Sequence, residues 1–290
     1  MRIYRDVVDI DTGEYFQAAE IWTKEDVESR EKQKENYKHR LAREEYQKSV
    51  KKDNGAFVWL LYNVGTVLDF GISPATLTRL IYISTFIEND NKLWVDKDHG
   101  ISMTETNMKT LLGLSRRTYE RFIQEVTENN ILIKQGECFY INDSFLARGK
   151  LSQQKLKKSL DKRYMKIYNK AIRKLYAQAK VSEHSKIAYL YQMIPFVNIH
   201  YNILCHNPKE EDKSLIKAMT MEEYCELIGY SADNARRLKT QLKKITINKV
   251  PVLNFVENLY GLFCYVNPRV FFGDKPEKLK EVEILGEFKK

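Results

Sequence analysis

The sequence predicts a mainly α protein with small β-wings. It reads as two tandem winged helix-turn-helix domains joined by a long basic helix, preceded by an N-terminal β-hairpin and charged helical arm. Three observations predict this. Apolar residues recur at helical spacing in short segments separated by tight turns. The second half repeats the first. One 33-residue stretch, 148–180, carries 12 Lys and Arg against one acid, Asp161. The expected divisions are 1–56 (hairpin and arm), 57–147 (first domain), 148–180 (linker helix), 181–274 (second domain) and 275–290 (tail).

Taken in order, Ile3-Tyr4 and Val7 to Ile10 face Tyr15-Phe16 across Asp11-Thr12-Gly13, a hairpin signal. Residues 24–53 are densely charged with both signs, hold no Gly or Pro, and read as an exposed helix. From Phe57 the composition turns globular. Ser73-Pro74 opens a helix running through Leu77, Leu80, Ile81 and Ser84. Leu93-Trp94-Val95 is a short strand. Met103 to Leu112 is a helix, Gly113-Leu114 a turn, and Ser115 caps a second helix to about Glu128. Tyr119, Phe122, Ile123 and Val126 form its buried face. Strands at 131–133 and 138–141 follow around Gln135-Gly136. Residues 152–179 have a helical stripe, Leu156 to Ala179, with cations on most other positions.

The repeat is read at an offset of 116. Leu112-Gly113-Leu114-Ser115 matches Ile228-Gly229-Tyr230-Ser231, and Met103-Thr104 matches Met219-Thr220. Beyond the wing turn the offset is 125, so that Tyr140-Ile141-Asn142 matches Tyr265-Val266-Asn267. Upstream, Leu80 matches Leu190. A period of this kind is sought first because it governs the whole fold.

A helix-turn-helix of this order presents its second helix to the DNA major groove. The expected base contacts are Arg116, Arg117, Thr118, Arg121 and Gln124 in the first copy. In the second they are Asn234, Arg236, Arg237 and Gln241. Arg can bond guanine O6 and N7, and Asn or Gln can bond adenine. The expected backbone contacts are Ser115, Lys134, Ser231, Lys239, Lys243 and Lys244. To these the basic segment adds Lys155, Lys157, Lys158, Lys162, Arg163, Lys166, Lys170, Arg173 and Lys174. A single-sign block needs a polyanion or solvent around it. The wings, Lys134 to Glu137 and Glu257 to Gly261, offer few cations.

The stretch Thr220 to Asp274 resembles the winged-helix (MarR-like) replication initiator proteins of Gram-positive plasmids and phages. The carrying residues are Leu227-Ile228-Gly229-Tyr230-Ser231 and Tyr265-Val266-Asn267-Pro268-Arg269-Val270-Phe271-Phe272-Gly273. Two such units in one chain are similar to the tandem architecture of iteron-binding plasmid initiators. The resemblance implies sequence-specific double-stranded DNA binding at an origin and recruitment of host replication proteins. A transcriptional regulator (repressor) of a mobile element or prophage is the alternative. The first copy departs from the pattern: Tyr140-Ile141-Asn142-Asp143-Ser144 has no Pro after Asn.

Other classes find no support. There is no GxxxxGK[ST] for a P-loop and no His-x-His pair of a nickase. Cys205-His206 with His200 lacks a fourth ligand, and Cys138, Cys205, Cys225 and Cys264 form no CxxC. The expectation is a non-enzyme with no cofactor, no metal, no small-molecule substrate and no membrane partner. It would be cytoplasmic, and its expected partners are duplex DNA, host replication proteins and a second copy of the chain in a homodimer.

Overall fold

The computed structural model describes residues 4–20, 24–88, 90–149, 162–258 and 261–288. The chain forms two compact units, 1–49 and 50–290. In the first, β1 (Tyr4–Val8) pairs antiparallel with β2 (Tyr15–Glu20). Asp9 makes the turn: its Oδ1 accepts from the Asp11 and Thr12 amides, and Gly13 takes φ +73°. Helix α1 (Lys24–Asn54) starts in this unit. Val27, Tyr37 and Leu41 stand exposed among its charges.

The second unit is organised by a four-stranded antiparallel sheet in the order β14-β9-β3-β8. Its centre is β3 (Phe57–Asn63) against β9 (Lys162–Tyr168). β8 (Leu146–Ala147) adds outside β3, and β14 (Phe271–Phe272) adds outside β9. Alternate residues Val58 and Leu60, with Met165 and Ile167 opposite, are fully buried. Onto this core pack α2 (Pro74–Ser84) and α6 (His184–Gln192), in close contact with each other, and α5 (Asn169–Gln178). Leu80 and Leu190, the pair matched in sequence, are both at 0% exposure.

The register maps onto itself. Trp59 lies opposite Lys166. β8 meets β3 at Trp59 and Leu60, and β14 meets β9 at Lys166 and Ile167. Exchanging β3 for β9 and β8 for β14 therefore leaves the pairing unchanged, with the Trp59–Lys166 pair at the centre. Two buried asparagines repeat the same motif away from the sheet. Asn91 (φ +57°) donates through Nδ2 to the Ile141 and Leu146 carbonyls, at 3.0 and 2.9 Å. Asn202 (φ +53°) donates to the Val266 and Phe271 carbonyls, at 3.1 and 2.8 Å. Each also accepts a backbone bond, from Ile141 and from Val266. Each thus ties a hairpin strand and a sheet-edge strand to one left-handed turn, which Asn tolerates better than other side chains.

Three expectations are corrected here. The protein is not mainly α with two winged-helix domains. About 45% of it is helix and 23% strand, a strand share at the level of ordinary mixed domains. The part of the linker that is described is not one helix. Residues 162–168 are the strand β9, and helix begins only at Asn169. Tyr164, Ile167, Tyr168 and Ala171 fit helical spacing, but Met165 and Ile167 also fit period two. Pairing along the whole of β3 decides between the periods, a case of tertiary context overriding a local pattern. Third, the two halves share the central sheet and one apolar core, so 50–290 is one unit. Residues 150–161, with Lys155, Lys157 and Lys158, lie outside the described residues. No helix of the described residues is long and apolar enough to cross a membrane.

Two predictions follow from the buried polar groups. Asn202→Gly keeps the turn but loses two buried bonds, and should cost about 2–4 kcal/mol. Asn202→Ala adds a left-handed penalty of about 1 kcal/mol or more. Urea unfolding checks both the size and the order. His184 is buried and accepts at Nδ1 from Arg79 Nε, at 3.3 Å. Burial, then the Arg79 charge, pushes its pKa down to about 4. The unfolded chain, with an ordinary value near 6.5, binds the extra proton first as pH falls. Stability should therefore drop between about pH 6.5 and 4, by up to about 3 kcal/mol. His184→Gln should flatten that slope in thermal unfolding at pH 7 and pH 5.

Candidate nucleic-acid interface

Two pairs of consecutive short helices begin in the same way. Thr104 caps α3 (Glu105–Leu112) in a reciprocal bond with Asn107. Thr220 caps α7 (Met221–Leu227) in one with Glu223. Gly113 and Gly229 then turn the chain at φ +61° and +69°. The residue there must be left-handed for the helix to end and the next to leave at a steep angle. α4 (Arg116–Glu128) follows the first turn. A 3₁₀ turn, Ala232–Asn234, and then α8 (Ala235–Lys243) follow the second. Tyr119, Phe122 and Val126 are buried on α4. Ala235, Leu238 and Leu242, 116 residues later, are buried on α8. A hairpin follows α4 directly, β6 (Leu132–Gln135) with β7 (Cys138–Ile141); after α8 a short pair, Thr246–Ile247 with Val250–Pro251, precedes the hairpin of β12 (Leu253–Asn258) with β13 (Gly261–Val266). Asn234 precedes α8 instead of lying in its first turn.

Burial on one side leaves Arg116, Arg117, Arg121 and Gln124 exposed on α4. Asn234, Arg236, Arg237, Lys243 and Lys244 are exposed at α8. Thr118, Lys239 and Gln241 are half-buried.

The electrostatics of the two helices differ. On α4, Arg116 Nε meets Glu120 at 2.7 Å, Arg121 Nε meets Glu125 at 3.0 Å, and Gln124 donates to Glu128 at 2.8 Å. These are i,i+4 pairs along the outward face. Arg117 makes no ion pair among the described residues. Ser115 and Thr118 bond each other at 2.9 Å while Ser115 caps the helix. Glu125 is held further: Ser73 donates to it from its amide (2.8 Å) and its hydroxyl (2.7 Å). Burial raises its pKa, but these bonds and Arg121 outweigh burial and keep it below the usual carboxylate range. On α8 no cation meets a carboxylate among the described residues. Lys239 and Lys243 lie 4.1 and 5.1 Å over the Phe255 ring of β12, which orients both ammonium groups without neutralising them.

The remaining expected contacts separate from these helices. Lys134 is 3.4 Å from Glu105. Lys166 and Arg163 are on the central strand β9, where Lys166 lies 5.6 Å from the Trp59 ring. Lys162 starts that strand. Lys170 donates to the Lys52 carbonyl, Arg173 to the Thr85 carbonyl and hydroxyl, and Lys174 to Asn248 Oδ1. The described cations of the basic segment thus largely hold the unit together, and do not form a continuous track along a helix. The imagined metal set is also divided: Cys205 is buried, His206 faces Glu223 and His200 faces Asp274. No group of three or more His, Cys, Asp or Glu among the described residues is placed to hold a metal ion.

Sequence reasoning missed the acid partners on α4 and the Lys–Phe255 contacts. The first were legible as Arg-x-x-x-Glu spacing; the second needed the hairpin's position. Comparison with known proteins gives no match to a family model, to a curated protein or to a solved structure.

The carboxylates on α4 differ in what they hold. Glu120→Ala removes an exposed pair and should change stability by less than about 0.5 kcal/mol. Glu125→Ala strands the Ser73 donors and should cost about 2 kcal/mol. Chemical denaturation of the two variants tests the contrast.

Proposed function

We propose that the chain is a sequence-specific double-stranded DNA-binding protein of a plasmid or phage, and that it initiates replication from an origin. The observation that carries the reading is the α8 face, where Arg236, Arg237, Lys243 and Lys244 are exposed without a carboxylate partner among the described residues. Such a face binds phosphates through counterion release and leaves guanidinium groups free for base edges. The α4 face offers the same residue types with partners that must be displaced or shared. α8 is therefore the stronger anchor, and α4 contributes discrimination. The initiator part of the reading rests on the resemblance of Thr220 to Asp274 to plasmid and phage initiators. In it the DNA-bound chain recruits host replication proteins.

Mobility shift on fragments surrounding the chain's own gene, at two salt concentrations with random duplex as competitor, tests the reading. Arg236→Ala or Arg237→Ala should cost about 1–3 kcal/mol on the cognate site and relax its sequence preference. Lys244→Ala should weaken cognate and random duplex alike and reduce the salt slope by about one. Glu120→Ala should strengthen binding by freeing Arg116. Equal losses on both duplexes for all cation changes would remove the base-reading role. A bound site over a promoter, with no effect on plasmid or phage copy number, would assign a regulator instead.

A further inference from the structure

The self-matching register of the central sheet continues outward, bond by bond, to α4 and α8. Beside the sheet, the Leu61 amide donates to the Phe145 carbonyl at 2.9 Å, and its counterpart Tyr168 to Val270 at 3.0 Å. Next to the buried asparagines, Leu93 donates to Phe139 at 2.8 Å and Leu204 to Cys264 at 2.9 Å. The bridges Lys92–Tyr140 and Ile203–Tyr265 flank these two bonds. The same leucines accept from the residues just ahead of α3 and α7: Met103 to Leu93 at 3.0 Å, Met219 to Leu204 at 3.1 Å. α4 then packs on α2, and α8 on α6. The buried Phe122 and Val126 of α4 are matched by Leu238 and Leu242 of α8, so the two helices also turn corresponding faces outward. The extra strand pair after α8 interrupts neither set of bonds.

Opposed residues of an antiparallel pair put their side chains on the same face, so the dyad relating the strands stands perpendicular to the sheet. Rotation about that dyad returns each element to the same side of the sheet and reverses its direction across it. α4 and α8 therefore lie on one side of the β3–β9 pair with their in-plane directions reversed. One apolar core runs through both halves and fixes that relation. A duplex has dyads perpendicular to its own axis, and two-fold related reading helices match them with half-sites in inverted order.

We infer that α4 and α8 of one chain engage a single duplex together, and that the target is an imperfect inverted repeat of two unlike half-sites centred on the β3–β9 dyad. This rests on the duplex-binding reading. The half-sites should agree where Arg121 and Arg237 stand, because both positions offer a guanidinium to guanine. They should differ at the neighbouring positions, where Glu120 is matched by Arg236 and Gln124 by Thr240. Both helices on one face of the duplex require a centre-to-centre spacing of about 10 base pairs or a multiple of it. A single chain spans the whole site, with no second copy needed to complete the inversion.

Selection from randomised duplexes with the full chain gives the site. Ser115→Cys and, separately, Ser231→Cys then place an iron-chelate cleavage reagent at matched, exposed positions. Each is made with Cys138→Ser, because the other three cysteines are buried, and thermal unfolding checks the fold of each. The cuts of one variant should be those of the other turned about the centre of the site, with the two strands exchanged. Five base pairs inserted at the centre should weaken binding about tenfold or more, because a half-turn carries one half-site to the far side of the duplex. The same cut pattern merely shifted along the duplex, without exchange of strands, would mean a direct arrangement and sink the inference while leaving sequence-specific binding intact. So would cutting from only one of the two positions, two chains on each site, or affinity indifferent to the insertion. A pool that yields no enriched sequence would remove the duplex-reading function and this inference with it.

Discussion

The antiparallel pairing of β3 with β9 is the constraint on which the rest of the second unit depends. It joins residues about a hundred apart, so its closure is entropically costly and must be offset by burial. Val58, Leu60, Met165 and Ile167 supply that burial on one face of the sheet. The other face carries Phe57, Trp59 and Tyr164 in edge-to-face contact, with centroids 4.9 and 6.0 Å apart. Once β3 and β9 meet, β8 and β14 are fixed at the edges, and through Asn91 and Asn202 so are the hairpins that follow α4 and α8. The orientation of each outward helix is therefore inherited from a sheet made jointly by both halves.

Local pieces were legible because their signals are local. Ser115, Gly113 and the Tyr119–Phe122–Val126 spacing mark the first helix pair. Their matches 116 residues on mark the second. Caps, left-handed glycines and one-sided apolar stripes require no knowledge of distant residues. β9 was illegible for the opposite reason. Its sequence, Lys162 to Tyr168, satisfies two periodicities, and only the partner strand chooses. The charge excess of 148–180 then lent weight to a helical track, whereas Lys166, Lys170, Arg173 and Lys174 spend their side chains on carbonyls, a hydroxyl and an amide. Asn91 and Asn202 carried a faint signal, Asn-x-Leu at an offset of 111, that becomes meaningful only when each is seen bonding two strands.

The candidate interface shows the same division. Which residues face outward on α4 and α8 follows from the buried stripe and could be read in advance. How strongly each cation is already engaged could not be read from identity alone. Arg121 and Arg237 stand at matched positions, 116 residues apart, yet the first lies against Glu125 and the second has no acid near it among the described residues. The free energy available for a phosphate differs accordingly, because an engaged guanidinium must exchange one anion for another.

The self-matching register of the central sheet has a consequence for ancestry and assembly. If the two halves were identical, the Trp59–Lys166 contact would be an isologous interface, made equally well between two separate half-length chains. Duplication and fusion of such a half would convert an association that depends on concentration into one that does not. It would also release each half to diverge. The surface a half-length ancestor would use to find its copy is consumed within the present chain. Any pairing between whole chains has to be built on different residues.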